Sequence, residues 1–309
     1  MSPLKCQTTA ARQCRDYRAR TVSTVQRAFL SWSTCFKLDQ PLVNLDTSDC
    51  KSLSASVKQA LANCPSDSEE ERMAWQSIKK LLPDSCRCME SPLIRGVADG
   101  FRRTPTSLPV GYLRFVRQSV QRLFKHGWDS DLYEPRVLTT SPPLSGSTSC
   151  KRSCGGVLGS EIDHDSFLDI CLRDNPDFEL DDRAELTVVQ SAGKPRPLSK
   201  FSADTLCLKP LHKAIYDRIS RRRWLCRGDV TYEKLASAGF SKVDDEVFVS
   251  GDYKSATDGL SIEVAEVILK AILDSAVSVP QSIKRSAMKI LRPNLFSLSE
   301  GLDFRPRVG

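Results

Sequence analysis

Apolar and polar positions divide the chain into a helical first part and a mixed second part. A basic helix is predicted to run through Tyr17 to Trp32, and residues 50 to 130 also read as helical. Ser66 and Glu69 form a capping-box pattern after Pro65, and the acids at 67 and 69–71 suit the positive end of a helix. Lys79 and Lys80 suit that helix's other end, and Pro83 stops it. Further on, Leu113, Val116, Val120 and Leu123 make one apolar stripe. Arg114, Arg117, Gln121 and Lys125 make the opposite face, and Gly127 is a natural C-terminal cap.

The pattern breaks after residue 135. Ser, Thr, Gly and Pro dominate from Ser141 to Ser160, which predicts a linker over 136–160 that closes a helical region 1–135. From 186 the texture changes. Leu186 to Gln190 reads as a short strand, and Gly193 with two prolines keeps the chain extended through Leu198. Leu208, Leu211, Ile215 and Ile219 fit a helix. Glu246 to Gly251 is rich in strand formers. Ile262 to Leu273 is nearly all apolar, with Glu263, Glu266 and Lys270 as one polar edge, and predicts a buried helix against a sheet.

Composition narrows the class. The 309 residues leave room for two domains, and 40% apolar content supports a packed core. No apolar run reaches 18 residues, so no membrane span is expected. The first 38 residues hold seven basic residues and one acid, Asp16. Mitochondrial presequences share that composition, and an ordinary basic helix also accounts for it. Twelve cysteines without a secretory signal fit free thiols in a reducing compartment. Cys86 with Cys88, or Cys150 with Cys154, offers half of a zinc site. No second pair stands at a zinc-ribbon spacing, so the spacing predicts no metal site.

Charge adds more. The net +7 is mild, but the window from Lys194 to Arg227 holds ten Lys and Arg against two Asp. Such a block predicts a polyanionic partner, RNA or a nucleoside triphosphate. Lys209, Lys213, Arg218, Arg221, Arg222, Arg223 and Arg227 are the candidate RNA contacts, and solvated helix faces are the competing explanation.

Two stretches carry candidate chemistry. In Gly193-Lys194-Pro195-Arg196-Pro197-Leu198-Ser199-Lys200-Phe201, extended backbone points Lys194 and Arg196 the same way. Two such cations suit a triphosphate, the guanidinium chelating oxygens and the ammonium supplying a point charge. In Val249-Ser250-Gly251-Asp252-Tyr253-Lys254-Ser255-Ala256-Thr257-Asp258, a predicted strand delivers Asp252 at its end and a helix follows. A carboxylate on a rigid strand end is a hard-oxygen ligand for magnesium. Asp258 can face the sugar of an incoming nucleotide and help select its 2′-hydroxyl. Taken alone, Asp258 as a helix cap and Asp252 as a strand end explain the same spacing.

The order of these stretches resembles the RNA-directed RNA polymerases of ourmia-like viruses (botourmiaviruses), positive-strand RNA viruses related to narnaviruses. The matching text runs from Gly193 through Lys209-Pro210-Leu211-His212-Lys213 and Arg227-Gly228-Asp229-Val230 to Ser250–Asp258. It continues through Glu263-Val264-Ala265-Glu266 to Leu291-Arg292-Pro293, about a third of the chain. The resemblance implies an α+β fold, a partial right-hand polymerase. Residues 161–245 would be fingers with a basic motif F at Lys194, Arg196 and Lys200. Residues 246–309 would begin the palm, with Asp252 as the motif A ligand of Mg2+ or Mn2+ and Asp258 beside it. RNA template and product and nucleoside triphosphates are the implied partners, and the host cytoplasm is the implied location.

Gly259 departs from the family, which usually carries Asn after the second Asp. The motif B loop and Gly-Asp-Asp do not follow motif A, so this reads as an N-terminal part, inactive alone in nucleotide addition. Two other readings stand beside it: a non-catalytic RNA-binding remnant, and one half of a split enzyme whose palm a second polypeptide completes.

Overall fold

The computed structural model describes residues 3–159, 162–191, 194–241, 243, 245–247, 249, 251 and 259–308, without the side chains of 3–9, 190, 191 and 194. The fold is mixed, with helices over about half the chain and one four-stranded sheet, compatible with the α+β expectation. Two compact units form: Met1–Ala98 with Leu186–Ser199, and Asp99–Glu185 with Lys200–Gly309.

The first unit is built on a long helix, α1 (Pro3–Phe36), with α2 (Cys50–Ala62), α3 (Glu69–Ser77) and most of α4 (Arg87–Phe101). The buried residues of α1 include Tyr17, Thr21, Val25, Ala28, Phe29 and Trp32, one stripe at helical spacing. Leu53, Val57 and Leu61 of α2 and Trp75 of α3 meet its lower half. Trp75 stacks on Phe29 at 4.4 Å and receives the edge of Trp32 at 5.0 Å between ring centroids. These large rings supply most of that core. Asp49 caps α2 by accepting from the backbone N–H groups of Lys51 and Ser52. The predicted Ser66–Glu69 capping box does not form. The Ser66 hydroxyl bonds Glu71 instead, and α3 starts only at Glu69, because the chain at Ser68 is still extended.

The second unit is centred on α5 (Tyr112–Leu123) and α10 (Ile262–Asp274). Val116 and Val120 of the predicted α5 stripe are buried. Around this pair lie α6 (Tyr133–Leu138), α7 (His164–Leu172), α8 (Lys209–Ile219) and α11 (Gln281–Ile290), while the short α9 (Tyr232–Ser237) buries no residue. The helix predicted at 262–273 forms, yet among the described residues it packs on helices α5 and α11 rather than on a sheet. The apolar stripe of α5 offers it a complementary surface.

Three hydrogen bonds to one buried carboxylate fix the end of α10. Asp129 is fully buried and accepts from the backbone N–H groups of Val277, Ser278 and Val279 at 2.9, 2.8 and 3.1 Å. The neighbouring Trp128 indole donates to the Ile272 carbonyl at 3.0 Å, and the Gly127 N–H to the Ser275 carbonyl at 2.8 Å. Gly127 has the positive φ of +72° expected of a cap residue, but α5 itself ends earlier, at Leu123.

Strands β1 (Arg183–Ser191), β2 (Lys194–Phe201), β3 (Asn294–Ser297) and β4 (Leu302–Phe304) form a sheet in the order β2-β1-β3-β4. The first residues of β1 run parallel to β3, Arg183 opposite Asn294, and β4 returns antiparallel, Leu295 opposite Phe304. The extended backbone predicted through 186–190 and 194–198 is thus realised. Of the strand expected at Glu246–Gly251, positions 248 and 250 lie outside the described residues; the described residues 246, 247, 249 and 251 adopt no strand, and Val247 and Val249 are exposed. A strand persists only when another pairs with it, and the four described strands pair among themselves.

The described part of the stretch 136–160, expected to be a linker, lies inside the second unit, and the chain passes between units at 98/99, 185/186 and 199/200. Its described part folds back on itself. The Val157 and Leu158 N–H groups bond the Ser145 and Pro143 carbonyls, and Ser147 bonds Cys150. A Cβ at Gly156, where φ is +60°, would overlap the Ser145 carbonyl oxygen, so this composition serves a tight loop rather than a spacer.

Replacing Asp129 with Ala would leave the N–H groups of Val277, Ser278 and Val279 without their acceptor, and the buried one, that of Val279, would cost about 1–3 kcal/mol if left unpaired. We expect the urea midpoint of the full chain to fall by the equivalent of about 1–3 kcal/mol. An unchanged midpoint would show that water reaches these N–H groups.

Candidate nucleic-acid interface

The basic tract sits on the end of β2, on α8 and on the irregular chain that follows. Strand alternation puts positions 194, 196 and 200 of β2 on one side of that strand. Arg196 is exposed, and no described residue pairs with it. Lys200 is half-buried, with its stem close to Gly146. Asp252 and Asp258 lie outside the described residues.

Helix α8 starts with Lys209-Pro210, and proline at the second helical position costs no hydrogen bond there. Leu211 and Ala214 face the core, which turns Lys213 and Arg218 toward the rim. The seven cations then divide by what they touch. Lys209 donates to the Ser141 carbonyl at 2.8 Å; partial burial, with Lys213 nearby, lowers its pKa. Arg218 and Arg222 both reach the Leu123 carbonyl at the end of α5, at 3.4 and 3.5 Å. Such contacts satisfy a carbonyl left open by the helix end. Arg223 grips the Ser237 carbonyl with two nitrogens at 3.1 and 2.8 Å. Arg227 pairs with Asp217 at 2.7 Å and lies over the Tyr216 ring, 4.4 Å from its centroid. Lys213 and Arg221 have no hydrogen-bonding or ionic partner among the described residues.

Asp217 is the hub of this region. Its side chain is only 10% exposed and meets both Arg136 and Arg227. Burial alone would raise its pKa, but the two guanidinium groups outweigh that and hold it below the usual carboxylate value. Five of the seven predicted RNA contacts therefore also brace the unit, which a count of charges along the chain does not reveal.

The structure adds aromatic surface that the charge pattern missed. Trp224, inside the tract, is 63% exposed, and Tyr232, just beyond it at the start of α9, is 79% exposed. Exposed rings among cations suit single-stranded nucleic acid, because every base can stack on a π-face while the cations follow phosphates. Their interleaving with Arg223, Arg227 and Lys234 in the sequence was the available signal.

A second grouping was also missed. Cys14, Cys50, Cys86 and Cys88 place all four sulfurs within 4.8 Å of one another. Cys86 and Cys88 were weighed as half a metal site, but the completing thiols come singly from helices 36 and more residues away. The other pair stays local: the Cys150 thiol donates to the carbonyls of Lys151 and Cys154.

No family model, curated protein or solved structure matches the chain.

Removing the two unpartnered cations, Lys213→Ala with Arg221→Ala, should flatten the slope of log affinity against log salt for single-stranded RNA. The expected change is about 0.7 per lost phosphate contact. Trp224→Ala should weaken binding by about 1–3 kcal/mol per stacked base while leaving that slope alone. Fluorescence anisotropy across a salt series measures both, and an unchanged slope in the double variant removes α8 from the interface.

Asp217 also predicts a pH dependence. Its folded pKa is depressed, so its contribution is present above the unfolded value of about 3.9 and is lost as pH falls through the folded value. Asp217→Asn should therefore destabilise the chain at neutral pH, with the gap to the parent closing in acid denaturation curves.

Proposed function

We propose that the chain is the N-terminal part of a viral RNA-directed RNA polymerase that copies positive-strand RNA genomes in the host cytoplasm. One observation carries the reading. The motif-F-like Lys194-x-Arg196 text, the basic helix, and the Asp252-x5-Asp258 text ahead of an apolar helix occur in the order that ourmia-like polymerases use.

In this proposal Lys194 and Arg196, with Lys200 beside them, neutralise the triphosphate of the incoming nucleotide. Their charge balances the negative charge that builds on the transferring phosphoryl group and its leaving pyrophosphate. Asp252 is the residue that would hold a divalent cation, Mg2+ or Mn2+, whose role when bound is to polarise phosphate oxygens. Asp258 contributes to reading the ribose 2′-hydroxyl. Lys213 and Arg221, with the exposed rings of Trp224 and Tyr232, guide RNA by contacts that follow the backbone and carry no sequence preference. The extended backbone of β2 and the exposure of Arg196 support the triphosphate role, and the formation of α10 supports a helix after motif A.

Primer extension on an RNA template tests the proposal, using the chain joined to a segment carrying motifs B and C. Asp252→Asn should reduce nucleotide addition to background while leaving the fold intact, since the amide keeps the shape and loses the charge. Arg196→Ala should raise the nucleotide KM by about 10- to 100-fold, equivalent to a charged hydrogen bond of about 1.5–3 kcal/mol. Arg196→Lys should recover only part, because the bidentate fork is lost. Normal extension by Asp252→Asn would remove the motif A assignment. RNA binding without extension in any of these proteins would favour a non-catalytic RNA-binding protein.

A further inference from the structure

The four-thiol cluster lies in the first unit, shares no residue with the polymerase reading and does not depend on it. Cys14 comes from α1, Cys50 is the first residue of α2, and Cys86 and Cys88 stand at the start of α4. Cys50 and Cys86 are buried, 3% and 5% exposed, Cys14 is half-buried, and Cys88 faces solvent.

The spacing discriminates among ways to use four cysteines. A tetrahedron of sulfurs about 2.3 Å from a central zinc ion has edges of about 3.8 Å. The Cys14 and Cys86 sulfurs are 3.6 Å apart, and no pair exceeds 4.8 Å. A disulfide needs sulfurs about 2.05 Å apart and joins two thiols at a time, whereas here four converge on one point. A polynuclear iron–sulfur cluster binds its cysteines through different irons and needs a wider ring than one ion does. Four sulfur donors with no oxygen or nitrogen among them select a soft tetrahedral ion over magnesium or calcium.

Cys50, Cys86 and Cys88 all stand at helix starts, where the positive dipole end favours negative charge, whereas burial pushes the Cys50 and Cys88 thiols up. Among the described residues little else ties this region together beyond the Arg18 hydrogen bond to the Ser48 carbonyl. Between Ala10 and Arg20, α1 buries only Tyr17, while the aromatic core lies further along the same helix. The small buried set that joins the start of α1 to α2 and to the approach of α4 is Tyr17, Cys50 and Cys86, flanked by Cys14 and Met89.

We propose that Cys14, Cys50, Cys86 and Cys88 bind one zinc ion as a closed structural site that ties α1, α2 and α4 together. With all four positions taken by protein sulfur, no open coordination position is left for catalysis. Its contribution is to folding, as expected when ligands come from distant parts of a chain.

The test is metal content and Co2+ spectroscopy on the full chain, purified with reductant. One zinc per chain is expected. Replacement by Co2+ should give the intense ligand-field and sulfur-to-metal bands of a tetrahedral thiolate site. Cys14→Ser and Cys88→Ser should each lose these bands, while Cys150→Ser and Cys154→Ser keep them. Should the serine variants fail to fold, Cys88→His keeps a ligand at the solvent-facing position and should shift the bands as one sulfur becomes nitrogen. Absence of stoichiometric zinc and cobalt binding in folded, fully reduced chain would overturn the site. So would cobalt bands unchanged by Cys88→His.

Discussion

The Asp129 carboxylate is the constraint on which the second unit depends. It takes three backbone N–H groups from a segment about 150 residues downstream and is fully buried while doing so. A buried anion is costly unless its hydrogen bonds are complete, so this one tolerates little displacement. The same turn supplies the Trp128 indole to the Ile272 carbonyl near the end of α10. The end of α10 is thereby registered against α5, and the helix that follows the Asp252–Asp258 text has one place to pack. Arg117 and Lys270 add ion pairs to Asp274 at the same end, but these are exposed and contribute little by comparison.

A basic tract looks different once its partners are known. Arginine is well suited to gripping carbonyls and carboxylates with a rigid fork, and Arg222, Arg223 and Arg227 do this inside the unit. A charge engaged this way still contributes to the positive field around the tract. What it loses is freedom to move onto a phosphate. Under the proposed function, contact with RNA would therefore concentrate on Lys213, Arg221 and the exposed rings, while the remaining cations hold the shape.

The first unit solves a different problem. Its helices share a small core whose main content is three aromatic rings, and small cores are marginal without reinforcement. Four converging sulfurs at the other end of α1 supply a place for that reinforcement. Distributing the aromatic cluster and the thiol cluster along one long helix stabilises both of its halves.

The sequence by itself determined local structure. The stripe at Val116 and Val120, the extended run through Lys194–Leu198, the helix at Ile262–Leu273 and the basic character of 194–227 all follow from periodicity or composition over a few turns, and all are present. The order of motifs on which the polymerase proposal rests was equally legible. Tertiary structure decided the rest, because the groups involved are distant in sequence. Whether 246–251 is a strand depends on a pairing partner that no local pattern reports. Whether Ser, Gly and Pro at 136–160 make a spacer or a folded loop depends on carbonyls elsewhere that accept its N–H groups. Which of the seven cations remain unpartnered depends on Leu123, Ser237 and Asp217. The thiol site was hidden for the same reason: its ligands sit at 14, 50, 86 and 88, a spacing without a motif, and only the packing of three helices brings those sulfurs to one point.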